Sequence, residues 1–185
     1  MSLQQKWIDL LYRVATGNKK VRTLLAPLGA MVFFVFVTLF VVSSRLLDAW
    51  LKPPKPFSWP YNIAVSIPLL LIGLLLVIWC NIHFVRANGT PVPLSPPQRL
   101  VEAGPYRYSR NPMVTGVFII LFGIGVLMSS TFLIFLFTPL FILLNTIELK
   151  YIEEPELEKR LGEPYVEYRK RVPMFFPKLR PRKKH

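Results

Sequence analysis

A chain of 185 residues, 52% of them hydrophobic and with a mean hydropathy of +0.41, has the size of one domain and is too apolar for an ordinary soluble one. Its formal charge of +13 is carried by residues that flank uncharged spans, so the expected partners are membrane lipids and not nucleic acid. Cys80 is the only cysteine, which excludes an intrachain disulfide, and with only His83 and His185 beside it no metal-ligand cluster is expected.

Residues 1–22 mix Trp7, Ile8, Leu10, Leu11, Tyr12 and Val14 with Lys6, Arg13, Lys19 and Lys20. That pattern predicts a short amphipathic helix at the membrane interface, stopped by Gly17-Asn18, and not a cleavable signal. Residues 24–44 carry no charge over 21 positions. As a helix they would measure about 31 Å, close to the hydrocarbon thickness, so they are the first expected span. Pro53, Pro54, Pro56 and Pro60 make residues 45–60 a predicted loop, with Trp50, Phe57, Trp59 and Tyr61 suited to the interface. Residues 61–80 are the second span, with Pro68 as a kink point and Gly73 as a place for close helix contact. Asn81 and His83 follow at its end. A polar connection, stiffened by Pro91, Pro93, Pro96 and Pro97, leads from Phe84 to Pro112.

Residues 113–146 are uncharged over 34 positions, which as one helix would reach about 50 Å, too long for a bilayer. They are expected to fold back near Ser129-Ser130-Thr131, with Gly116, Gly123 and Gly125 allowing close packing. The first arm cannot begin much before Pro112 and is therefore short, about 24 Å. The second arm can run past Thr146 into Glu148, Lys150 and Glu154. Pro155 predicts a break at Glu154 and a fresh helix opening on the proline. Gly162 ends that helix, Glu163-Pro164 opens another, and Pro173 closes it. Lys178 to His185 form a basic tail. The expected fold is all-α: a polytopic membrane protein of about four transmembrane helices, including a C-terminal hairpin, with short cytoplasmic helices. Its organisation would be an interfacial segment 1–22, an integral-membrane domain 23–177 and a tail 178–185. Four spans place 20 of the 23 Lys and Arg on one side, so both termini are expected in the cytoplasm.

Two polar features fall on that same side and flank the hairpin. One is Q-R-L-V-E-A-G-P-Y-R-Y-S-R-N-P-M-V-T-G at 98–116; the other is the Glu153-Glu154 pair. Arginines and tyrosines facing paired carboxylates suit a small zwitterionic ligand with an adenine-like ring. By composition alone the first is equally a loop anchored at lipid headgroups, and the second a solvated face with Lys150 and Glu154 as an i,i+4 pair.

The order L-V-E-A-G-P-Y-R-Y-S-R-N-P-M-V-T-G, apolar hairpin, E-E-P-E-L-E-K-R-L-G-E-P-Y-V-E-Y-R-K-R-V-P resembles the isoprenylcysteine carboxyl methyltransferase and phospholipid methyltransferase superfamily over residues 89–177. The resemblance implies an integral-membrane methyltransferase that uses S-adenosylmethionine. It places the cofactor on Gln98, Arg99, Leu100, Val101 and Tyr106, on Arg110, Asn111, Pro112, Met113 and Val114, and on Glu153 and Glu154, with Glu153 the better match. Two positions depart from the pattern. Val114 stands where a tyrosine is common, and Lys150 stands near an expected substrate-binding arginine whose forked geometry a lysine lacks. An amine acceptor would also need a base, for which Glu148 and His83 are the candidates. The implied activity is methyl transfer to a lipidic or membrane-partitioned small substrate, either isoprenylcysteine-carboxylate-like or phospholipid-amine-like. The alternative is a non-catalytic protein that keeps the fold for lipid binding or assembly.

Overall fold

A computed structural model of the chain describes residues 2–87, 90, 96, 97 and 99–176, and all regular structure among them is helical. Gln98, Pro177 and the basic tail 178–185 lie outside the described residues, as does most of the proline-rich approach. Helix α1, Leu3–Thr16, opens on Ser2, whose side chain accepts from the Gln5 N–H at 3.2 Å, and it closes at Gly17.

Helix α2, Lys19–Leu51, is longer than its uncharged stretch. Residues 45–51, expected in a loop, are helical because nothing between Ser44 and Pro53 breaks a helix. The helix stops where Lys52 turns left-handed, at φ 48°, just before Pro53. Helix α3, Tyr61–Arg86, likewise runs on past Cys80, so that Asn81 and His83 sit on its last turns, as does Phe84, expected in the connection. Helix α4, Pro112–Leu127, has the expected 16 residues. The fold-back falls at the expected serines, with Ser129 at φ 47°.

Beyond the turn the expected break at Glu154 is absent. Helix continues from Leu133 to Leu161 through a π-turn at Leu133–Phe137, α5 at Thr138–Glu148, a second π-turn at Leu149–Glu153 and α6 at Glu154–Leu161. A proline inside an α-helix clashes with the carbonyl four residues back and leaves it without a donor. The π-turn lies directly before Pro155, and its i→i+5 bonding, Glu154 N–H to the Leu149 carbonyl, carries the helix through. Gly162, at φ 68°, ends α6, and α7, Glu163–Arg171, follows.

Among the described residues three helices are long and apolar enough to cross a membrane and Pro112–Leu127 is a shorter apolar one; the protein is an integral-membrane, all-α chain. The described chain divides into two compact units. In residues 32–77 with 113–145, glycines bring α3 and α4 into backbone contact. A Cβ on Gly73 would lie 2.8 Å from the Gly116 carbonyl oxygen, and one on Gly116 would lie 3.0 Å from that of Gly73. Phe141 is fully buried there, with the rings of Phe33, Phe36, Phe40 and Phe118 centred 5.6–6.3 Å away. Asp48, on the unexpected last turns of α2, accepts from the Ser130 hydroxyl and from the Phe132 N–H, the latter at 3.2 Å. It therefore caps the returning arm of the hairpin from another helix. The other unit, residues 1–31, 78–112 and 146–185, holds the candidate site. A small core of Tyr165, Tyr168 and Val172 packed with Leu100, Leu157 and Leu161 supports it.

Candidate functional site

The end of α3 grips the glycine turn. Cys80, His83 and Phe84 fall on one helix face at spacings of three and four. Gly104 turns at φ 59° and lies so close to the His83 imidazole that a Cβ there would sit 2.1 Å from Nε2. Only glycine satisfies both the dihedral and the approach. Gly104–Arg107 form a single 3-10 turn, which buries Tyr106. The Tyr106 phenol hydrogen-bonds the Cys80 thiol, and its ring meets Phe84 edge-on at 5.3 Å. Burial, then the neighbouring Cys80, Tyr168 and Glu153, push that phenol far above its ordinary pKa, so it stays a neutral donor.

From the other side α7 and the segment after it fasten the turn and the motif that follows. The Tyr168 hydroxyl, buried and held neutral by that burial, donates to the Tyr106 carbonyl at 2.7 Å. The Arg110 N–H donates to the Pro173 carbonyl at 2.9 Å and the Asn111 N–H to the Met174 carbonyl at 3.1 Å. The Ser109 hydroxyl also donates to Met174, at 2.9 Å. The polypeptide at 173–174 is thus a strap across Ser109-Arg110-Asn111.

Both polar features named from sequence meet here. Arg110 and Glu154 form an ion pair at 2.6 Å, with side chains only 11% and 10% exposed, and Arg110 Nη1 donates to the Arg169 carbonyl at 3.0 Å. Glu154 therefore pairs with Arg110 and not with Lys150, as the i,i+4 alternative had it. Lys150 is exposed, its ammonium 5.5 Å from the Tyr151 ring centre.

The second π-turn does something that composition does not reveal. Glu148 and Glu153 are five apart, a spacing that an ordinary α-helix would place on different faces, roughly 140° apart. Across the π-turn the two carboxylates interact electrostatically. Neither carboxylate has a hydrogen-bond or ion-pair partner among the described residues. The surrounding cations do: Arg160 pairs with Glu156 at 2.7 Å, Arg169 with Glu158 at 2.8 Å and Arg171 with Glu102 at 3.1 Å.

Other expected residues take mixed places. Arg99 is exposed and Val101 half-buried, while the Leu100 side chain belongs to the small tyrosine core. Arg22 and Arg160 hold the chain just ahead of them, donating to the carbonyls of Pro96 at 3.0 Å and Pro97 at 2.8 Å. Pro112 is buried, and Met113 and Val114 follow it in the first turn of α4. Sequence reasoning missed Cys80, Phe84 and Tyr168. Their i, i+3, i+4 spacing and the Tyr165-x-x-Tyr168 repeat were the available signals.

A family model described as phospholipid methyltransferase matches residues 61–164, from the start of α3 to the start of α7. No match was found among curated proteins or among solved structures.

Proposed function

Since the chain belongs to the phospholipid methyltransferase family, we propose that it moves a methyl group from S-adenosylmethionine to a membrane-partitioned acceptor carrying an amine. The observation that carries this reading is the division of labour at the acidic pair. Glu154 is tied to Arg110 and joins the two motifs, while Glu153 is left without a partner among the described residues. A net-cationic cofactor fits that arrangement, because a carboxylate with no ion-pair partner among the described residues can take a positive charge. When bound, S-adenosylmethionine supplies an electrophilic methyl group on a sulfonium.

Glu153 would hold the cationic end of the cofactor, and Tyr106 would form the wall beside it. The Gly104 turn, clamped by His83 and Tyr168, would keep that wall in place, and the strap would keep Arg110 in register. Positioning and exclusion of water do most of the work in an in-line displacement. An amine acceptor must lose a proton as its nitrogen bonds to carbon, and Glu148 would be the carboxylate to take it. A carboxylate acceptor would instead want a forked cation, but Arg110, Arg160, Arg169 and Arg171 are each paired with an acid, and Lys150, exposed against the Tyr151 ring, lacks the fork. The acceptor would come from the bilayer and the cofactor from the cytoplasm.

The test is titration of the nanodisc-embedded protein with the cofactor, followed by incubation with methyl-labelled cofactor and vesicles holding phosphatidylethanolamine. Saturable binding, labelled lipid and loss of binding in Glu153→Gln with the fold intact are expected. A folded protein that binds no cofactor would instead be a lipid-binding or assembly subunit.

A further inference from the structure

We infer that helix α1 is part of the site: by clasping the second π-turn it sets the position of Glu153, with Gln4 as a positioning residue. This rests on the reading of Glu153 as the cofactor contact. Gln4 Nε2 donates to the Tyr151 carbonyl at 2.8 Å. That carbonyl stands four residues before Pro155, so the amide that an α-helix would offer it does not exist. Gln4 therefore bonds a carbonyl to which Pro155 can offer no α-helical donor, two residues from Glu153.

Further along, α1 holds α6. Lys159 pairs with Asp9 at 2.7 Å, and its ammonium lies 4.6 Å from the centre of the Tyr12 ring. Ile8 and Ala15 are buried, which gives α1 an inward face, while Leu3, Trp7 and Leu10 stay exposed. Gln4 thus fastens the π-turn, and Asp9 and Tyr12 fasten the helix that follows it, so α1 splints the junction between the two. A π-turn is a local departure from α-helical register that relaxes unless its surroundings hold it. The Tyr151 carbonyl is at the surface and water can reach it. Gln4 thus adds one surface hydrogen bond between α1 and the π-turn.

The experiment uses the full chain in nanodiscs and two readouts: hydrogen exchange over residues 148–156, and cofactor affinity by titration. Gln4→Ala should speed exchange there and raise the cofactor Kd roughly five-fold, the size of one surface hydrogen bond. The kcat at saturating cofactor should not change. Ile8→Glu, which undocks α1, should do both more strongly. Pro155→Ala restores the amide, so in that background Gln4→Ala should have no further effect on Kd. Unchanged exchange in both α1 variants would overturn the inference. So would faster exchange with unaltered affinity while Glu153→Gln still weakens binding, or effects of Gln4→Ala and Pro155→Ala that simply add. If the wild type binds no cofactor, the reading of Glu153 falls instead, and the exchange measurement still decides whether α1 holds the turn.

Discussion

Arg110 and Glu154 show why neighbouring acids in one pair need not share a role. Their ion pair is nearly closed to solvent, so removing either partner strands a buried charge. Arg110→Ala or Glu154→Gln should each lower stability by about 3 kcal/mol, seen as a fall in melting temperature in detergent. Replacing both with apolar residues of similar volume should recover most of that loss. Glu153→Gln, by contrast, removes no ion pair and should leave the melting temperature near that of the wild type. The Tyr168 hydroxyl is a smaller case. Tyr168→Phe keeps the ring in its core but leaves the Tyr106 carbonyl without its donor, and should cost about 1 kcal/mol.

At the level of elements, the hairpin depends on groups borrowed from elsewhere. Asp48 caps the returning arm, so Asp48→Ala should destabilise the protein by about 1–2 kcal/mol and lower its melting temperature. Where α3 and α4 touch at Gly73 and Gly116, Gly116→Val has no room without parting the helices. It should cost on the order of 1–3 kcal/mol, and a neutral outcome would mean that the backbones are not in contact. These elements also mark how far sequence alone reaches. The hairpin, its serine turn, the short arm from Pro112 and the stops at Gly17 and Gly162 were legible, since each is written in local composition. The meeting of Arg110 with Glu154 was legible only as an expectation that the two motifs flank one hairpin. The absence of a break at Pro155 was not legible, because a π-turn has no compositional mark and depends on neighbours 147 residues away. Helix beyond Ser44 was missed for a simpler reason. Charge ended the expected span, whereas only Pro53 ended the helix.

For the whole molecule, the distribution of Lys and Arg calls for both termini on the cytoplasmic face. Cys80 is the only cysteine and is fully buried, so a membrane-impermeant thiol reagent should pass it by. Single cysteines at Ser2 and Phe176 should then be labelled together from the cytosolic side, and one at Ser58 only from the other. Labelling of Ser2 and Phe176 from opposite faces would require an odd number of crossings.

The strap at Pro173 and Met174 imposes an order of assembly. Ribosomes make the Ser109-Arg110-Asn111 motif well before they make the carbonyls that fasten it, 65 residues further on for Ser109 and Met174. A nascent chain can therefore insert its apolar helices while the motif's amides are still unclaimed. The site is completed only when the backbone has gone out through the hairpin, returned and closed over its own earlier turn. A fragment ending at residue 164 would carry every position that the family pattern covers and still leave that closure undone.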